Sequence, residues 1–202
     1  MRRLLTSIAA MALCGTCGAQ TNTNSLRLHL IAGQVPRDQL EHGTIQAKSV
    51  KVVREAILSS ADFKSYDRSN HVFTVTAEAA RRLAVGLRRH TGRSEAPVIY
   101  ADGKAGYELC GPDTPFVLFA SGEPIYAGVF SFPFSSRSYL VPVILPAPAG
   151  PFVLYLDSTN DVSFWINLDT IAKTYGAPAD WGTPKEVLTD KRILAALDKL
   201  GL

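Results

Sequence analysis

The feature that most constrains the fold is a pair of apolar runs, rich in β-forming residues, in the middle of the chain. The first run covers residues 116–120 and the second covers residues 125–130, with the polar turn Ser121-Gly122-Glu123-Pro124 between them. Two such runs on either side of a short turn that contains glycine are typical of a β-hairpin. We therefore expect a fold built largely from antiparallel strands.

Apolar patterning predicts further strands on both sides of this hairpin. Alternating or continuous apolar residues indicate strands at 26–32, 72–75, 139–145 and 152–156. The last two are separated by the proline-rich residues 146–151, which predict a stiff loop because proline cannot donate to a β-ladder. Residues 45–58 fit either a strand or a helix.

Three stretches carry helix signals. After Thr76, a good N-cap, apolar residues recur at helical spacing and predict a helix that ends near residues 90–92: Ala80, Leu83, Ala84 and Leu87. Residues 165–175 form a second candidate. The last helix begins with the cap and capping box of 183–186, or restarts at Thr189-Asp190. The predicted fold class is α+β: a mostly antiparallel sheet with one packed central helix and a C-terminal helix.

The first nineteen residues have the three parts of a secretory signal peptide. Met1-Arg2-Arg3 is basic, residues 4–13 are mostly apolar, and Cys17-Gly18-Ala19 places small residues before a cut at Gln20. The apolar run is shorter than the roughly twenty residues that a permanent membrane span needs. We predict a periplasmic or secreted protein with a signal peptide at 1–19, a polar leader at 20–25 and one α+β domain at 26–202.

Removal of this leader changes the charge of the chain. The 202 residues carry 21 basic and 18 acidic groups, and the loss of Arg2 and Arg3 lowers the net charge from +3 to +1. A nearly neutral chain of 183 residues lacks the overall field that recruits nucleic acid or an anionic membrane. The sequence therefore predicts no nucleic-acid partner, and it contains no second apolar run long enough to span a membrane.

The positions of the three cysteines indicate a fold that is stabilised by its hydrophobic core and not by disulfides. Cys14 and Cys17 lie in the leader, which leaves Cys110 alone, so no internal disulfide forms and we expect Cys110 to be buried. Lipid attachment at Cys14 or Cys17 is the alternative to cleavage after Ala19. Both cysteines lack the small residues that should directly precede a lipid-attachment site.

The densest polar cluster of the sequence supports two interpretations. Asp67 and His71, with a serine such as Ser135 from the cluster at 135–138, suggest a hydrolase triad. However, His71 directly precedes the strand predicted at 72–75, and a turn that enters a strand uses such side chains to hold backbone amides. The serine cluster also lacks the Gly-x-Ser-x-Gly elbow of α/β-hydrolases.

Other chemistries have weaker signals. The histidines are scattered and no pair has metal-ligand spacing: His29, His42, His71 and His90. Residues 157–161 are rich in oxygen ligands but lack the glycine and distal glutamate of a calcium loop. The sequence has no phosphate-binding or dinucleotide fingerprint, so we predict no cofactor. A basic run at 81–93 fits either a solvated helix face or a docking patch for an anionic partner.

An aromatic loop is the best candidate for a contact surface. The stretch Ser131-Phe132-Pro133-Phe134-Ser135-Ser136 places two rings and a proline among polar serines, so we do not expect every ring to be buried. Together with the hairpin at 115–130, this loop is predicted to form the surface that binds a partner. The predicted binding residues are Tyr66, Tyr126, Phe132, Phe134, Ser135, Ser136 and Arg137.

Residues 60–145 contain an ordered set of short motifs: Ser65-Tyr66-Asp67 with His71, then Thr76, Pro115-Phe116-Val117, Gly122-Glu123, Ile125-Tyr126, Gly128, Phe130, Ser135-Ser136 and Pro142. This set resembles small exported or lipid-anchored bacterial proteins of unknown activity. The resemblance implies an envelope location and no catalytic residue. We therefore expect a non-enzymatic binding or accessory module of the cell envelope, with the small hydrolase that uses Asp67, His71 and Ser135 as the alternative.

Overall fold

The computed structural model describes residues 25–109, 113–132, 139–147, 151–167 and 190–202. The strands are β1 (Leu26–Leu30), β2 (Leu58–Ser59), β3 (Phe63–Asp67), β4 (Val72–Val75), β5 (Val98–Ile99), β6 (Ala105–Glu108), β7 (Thr114–Ala120), β8 (Glu123–Phe130), β9 (Val143–Pro146), β10 (Val153–Tyr155) and β11 (Val162–Asn167). The helices are α1 (Arg37–Glu41), α2 (Ala77–His90) and α3 (Lys191–Leu200), and residues Ser60–Asp62 form a 3₁₀ turn. The described residues form an α+β fold that is richer in strands than in helices.

Eight strands form one large sheet in the order β2-β1-β7-β8-β9-β11-β4-β3. Adjacent strands in it run antiparallel, except for the parallel pair β8 and β9. β7 and β8 are the predicted hairpin, which is confirmed. A smaller sheet has the order β10-β6-β5.

The large sheet is strongly curved. If it were flat, seven strand spacings of about 4.8 Å would separate its edge strands by about 34 Å. The two edges, β2 and β3, are instead joined by the 3₁₀ turn Ser60–Asp62 alone, and four residues span at most about 14 Å. The two edges of the sheet must therefore approach each other at this turn.

Apolar side chains fill both faces of the central strands. Phe116, Leu118 and Phe130 belong to a core that also receives the apolar faces of α2 and α3. Their neighbours Val117 and Val129 point to the other face, where residues 35–52 and 139–143 cover them. Because β7 and β8 are buried on both faces, the hairpin at 115–130 does not offer the exposed contact surface that the sequence suggested.

Helix α2 forms where its sequence signals predict it. The Thr76 hydroxyl accepts the backbone N–H of Ala79 at 3.1 Å. Basic residues occupy the last turn, where their positive charge interacts favourably with the negative end of the helix dipole. Its apolar stripe packs against the large sheet, and the smaller sheet adds Tyr107 and Leu154 to the same core. The helix therefore contacts the smaller sheet and shares a core with the large one.

The other two helix predictions have different outcomes. The proposed helix at 165–175 is wrong for residues 165–167, which belong to strand β11, because Val162 and Phe164 are buried and β11 pairs with β4 and β9. Residues 168–175 lie outside the described residues. The C-terminal helix follows the second predicted start, since the Asp190 carboxylate accepts the backbone N–H of Arg192 at 2.8 Å.

Candidate functional site

The turn between β3 and β4 holds the first group of predicted site residues. The Asp67 carboxylate accepts the Ser69 backbone N–H at 2.9 Å and the Ser69 hydroxyl at 2.6 Å. It also accepts the Asn70 side-chain amide at 2.7 Å. These hydrogen bonds, with the Ser69 hydroxyl first and the Asn70 amide next, lower the pKa of Asp67 to about 2. Asp67 thus stabilises the turn.

His71 makes a different contact from the one that a hydrolase needs. Its Nδ1 lies 3.0 Å from the Tyr66 hydroxyl. In a serine-hydrolase triad a carboxylate holds this nitrogen, yet the Asp67 oxygens are all bonded within the turn. Within the described residues, the Asp67–His71 hydrogen bond of the hydrolase alternative is absent. Ser135, its proposed nucleophile, lies outside the described residues.

The lowered pKa of Asp67 predicts a pH-dependent contribution to stability. Because the folded-state pKa lies below the unfolded value of about 4, the stabilisation is complete above about pH 4 and is lost as the pH falls toward 2. We expect Asp67→Ala to lower the urea midpoint at pH 7, and the difference from the natural chain to shrink between about pH 4 and pH 2. A carbon-13 NMR titration of the Asp67 carboxyl group checks the cause directly. Titration near pH 4 would contradict this account.

Tyr66 and Tyr126 line one small apolar cavity of about 40 Å³ between the large sheet and α3. Burial raises the pKa of Tyr66 to about 12 and raises the pKa of Tyr126 above its usual value, so both hydroxyls keep their protons. Tyr126 is only 6% exposed. Its proposed role in contacting a partner is therefore corrected: Tyr126 is a core residue, because the inner face of β8 packs under α3.

Phe132 is the predicted contact residue that the structure leaves exposed. It follows β8 and is 40% exposed, and its ring centroid lies 6.3 Å from that of Phe152, which is 36% exposed. Phe152 precedes β10 and was not among the predicted contact residues. The predicted contact residues Phe134, Ser135, Ser136 and Arg137 lie outside the described residues.

Several ends of the described segments meet at this ring pair. Phe132 leads into residues 133–138 and Phe152 follows residues 148–150. The Phe152 carbonyl accepts the backbone N–H of Leu109, which precedes residues 110–112, at 3.0 Å. The Ser131 hydroxyl donates to Asp113, at the other end of 110–112, at 2.6 Å. Because these residues lie outside the strands, we call Leu109, Asp113, Ser131, Phe132 and Phe152 the loop-end surface.

The basic run on α2 is largely balanced by the protein itself. Arg82 pairs with Asp62 at 2.5 Å, and the Arg89 guanidinium donates two hydrogen bonds of 2.7 Å to Glu95. Arg93 lies 3.8 Å from Glu108. These ion pairs reduce the field that a docking patch for an anionic partner would need. Arg81 differs, because it contacts backbone carbonyls rather than carboxylates.

Comparison of the chain with protein-family models, with curated proteins and with solved structures finds no match. Among the described residues, no three histidine, cysteine, aspartate or glutamate side chains come close enough to hold a metal ion. The described part of the chain also contains no helix that is long and apolar enough to cross a membrane. Any functional conclusion therefore depends on the geometry of this chain.

Proposed function

We propose that the chain is an exported, non-enzymatic binding module of the cell envelope, and that its loop-end surface contacts a partner protein with an apolar patch. The observation that carries this proposal is the exposed ring pair of Phe132 and Phe152, beside the hydrogen bonds that join Leu109 to Phe152 and Ser131 to Asp113. Large aromatic side chains at the centre of a contact supply most of the binding energy in many interfaces.

The scaffold favours this use of the loops. Ser131 and Phe132 directly follow β8 of the large sheet, and hydrogen bonds to the Ile144 carbonyl and to Asp113 hold Ser131 in place. Binding residues are commonly found on loops that a rigid sheet positions. Phe134, Ser135, Ser136 and Arg137 follow Phe132 in the chain and extend the same surface in this proposal.

The contacts of Asp67 and His71 support a binding module over the hydrolase. A triad requires a carboxylate that orients the imidazole and a hydroxyl that the imidazole can deprotonate. Here Asp67 stabilises its own turn. The Tyr66 hydroxyl is hydrogen-bonded to Nδ1 of His71, the atom that the carboxylate of a triad would contact.

The proposal extends to the parts of the chain that the structure does not describe. Residues 1–19 act as a signal peptide that is cut before Gln20, and residues 26–202 fold as one mostly antiparallel α+β domain around α2, with α3 at its C-terminal end. Expression of the full chain in a Gram-negative host, followed by fractionation and N-terminal sequencing, tests the first point. A first residue of Gln20 in the periplasmic fraction is expected, and retention of Met1 in the cytoplasm would contradict it.

The contact surface is tested by photo-crosslinking within intact envelopes. A photoreactive phenylalanine at position 132 should capture a discrete partner, and Phe152→Ser should reduce that capture at least tenfold because it removes half of the ring pair. The same probe at Ile99, which is 66% exposed on β5, is the matched control. Equal capture from positions 132 and 99, or capture that is unchanged by Phe152→Ser, would overturn the assignment of this surface.

A further inference from the structure

A cleft of about 520 Å³ lies beside helix α2. Its walls are one side of α2, from Glu78 to His90, and residues 53–57, and its apolar lining includes Leu30, Ile57, Val85 and Tyr107. Sites for small molecules usually have volumes of about 300–1,000 Å³ and a mostly apolar lining with a few polar groups. The cleft has the size and composition of such a site.

The wall at 53–57 exists because the chain loops away from β1. The Val53 N–H donates to the Leu30 carbonyl at 2.8 Å, and the Ile57 N–H donates to the Leu28 carbonyl at 2.7 Å. Between these two bonds β1 covers two residue steps, from Leu30 to Leu28, but the facing segment covers four, from Val53 to Ile57. The extra residues, 54–56, therefore project from the sheet. Ile57 then packs on Gly86, where a Cβ would collide with the Cδ1 of Ile57. The cleft is thus shaped by backbone hydrogen bonds and a tight helix contact.

Arg81 supplies a fixed positive charge to this cleft. Its Nη2 donates to the carbonyls of Leu156 at 3.2 Å and Ser158 at 3.3 Å. These neutral acceptors hold the guanidinium in place but do not balance its charge. The other two arginines that line the cleft, Arg82 and Arg89, are paired with the carboxylates of Asp62 and Glu95. Arg81 forms no ion pair with any carboxylate of the described residues.

We propose that the cleft binds an apolar molecule with a single carboxylate, and that this carboxylate sits on Arg81. The apolar lining accepts the body of the ligand, and the guanidinium retains N–H donors that suit a carboxylate. Glu55 stands on the looped wall, near Arg89, which is eight residues and about 12 Å along α2 from Arg81. The negative charge of Glu55 disfavours a second acidic group at the end of the ligand that lies away from Arg81.

A medium-chain fatty acid and the C-terminus of an apolar peptide share this chemistry. Nitrogen-15 NMR titrations with octanoate and with an N-acetylated Leu-Leu dipeptide separate the two sources. The ligand that binds, octanoate or the dipeptide, should change the amide chemical shifts of residues 53–57 and 81–90. It should also bind at least tenfold more tightly than octylamine, which carries a positive charge in place of the carboxylate. Shifts confined to the residues around Phe132, or equal affinity for octanoate and octylamine with no binding of the dipeptide, would overturn the proposal.

Arg81→Gln should weaken binding of the preferred carboxylate about tenfold, since it removes a charge-assisted contact. Arg88→Gln is the matched control, because Arg88 also lies on α2 and donates to a carbonyl, that of Ser94, but does not line the cleft. If Arg81→Gln unfolds the chain, Ala56→Phe provides the second test: it fills the cleft and should abolish binding while the chain stays folded. Unchanged binding in a folded Arg81→Gln or Ala56→Phe variant would refute the site. The result is independent of the loop-end surface, because Phe152→Ser should leave carboxylate binding unaltered.

Discussion

Replacement of Gly128 by alanine is expected to lower the free energy of unfolding by about 3 kcal/mol. A Cβ at this position of β8 would lie 2.5 Å from the Cζ of Phe116 and 2.5 Å from the Pro142 carbonyl oxygen. Neither neighbour can move freely. Phe116 is fully buried against Tyr126 and Phe130, and the Pro142 carbonyl accepts the Val129 N–H at 2.9 Å. Urea denaturation followed by circular dichroism measures the loss.

A comparison with Gly122 separates this contact from the general cost of replacing glycine. Gly122 lies in the β7–β8 turn with φ +84° and has no atom within 4 Å of its Cβ position, so Gly122→Ala should cost only about 1 kcal/mol through backbone strain. In the Gly128→Ala background, Phe116→Leu removes the colliding ring edge and should cost less than it does alone. Equal losses for Gly122→Ala and Gly128→Ala would show that the close approach is not what disfavours a side chain at Gly128.

The sequence predicts local elements well where the signal lies within a few residues. The turn at 121–124 and the apolar runs beside it identify β7 and β8, and the Thr76 cap with its apolar stripe identifies α2. Residues 45–58 fit either a strand or a helix because the structure of this segment is decided by pairing with residues that are distant in sequence. Val52 bridges Ile31, and Leu58 pairs with Leu28. Neither contact has a signal inside that segment.

The error at 165–167 has a related cause. The residues of β11 alternate, with Val162 and Phe164 on the buried face, but the run is short and continues into residues that were assigned to a helix. Its pairing with both β4 and β9 decides in favour of a strand. The parallel pairing of β8 with β9 could not be predicted from local residues either, since it depends on how the chain crosses between them.

The candidate surfaces were predicted less completely than the elements. The exposure of Phe132 agrees with the two rings and the proline among serines around it, whereas Tyr126 was misplaced because a tyrosine in a hairpin gives no sign of which strands and helices cover it. Phe152 was missed because it was assigned to a strand, and the ring that it contacts, Phe132, is twenty residues away in sequence. The cleft beside α2 has no sequence signal, since residues 53–57 and 81–90 meet only in the folded chain.

Asp62 is the second position where we expect a large effect, because its carboxylate joins three parts of the fold. It lies in the 3₁₀ turn that connects the two edges of the large sheet, and it is 8% exposed. Its Oδ2 accepts the Ser59 N–H at 2.7 Å, and its Oδ1 pairs with Arg82 of α2 at 2.5 Å. Its backbone carbonyl accepts the Thr76 N–H at 3.2 Å, at the start of the same helix.

Asp62→Ala should therefore lower the free energy of unfolding by about 2 kcal/mol, because it removes a half-exposed ion pair and leaves the Ser59 N–H without its acceptor. Arg82→Gln should cost less, about 1 kcal/mol, since water screens the half-exposed guanidinium in the folded protein and Asp62 keeps its bond to Ser59. Asp198→Ala, which removes the exposed ion pair between α3 and Arg68, is the control and should cost below about 1 kcal/mol. Urea denaturation of the three variants measures these losses. If Asp62→Ala costs no more than Asp198→Ala, the sheet edges are held together by apolar packing alone, and the closure of the sheet does not depend on the Asp62 carboxylate.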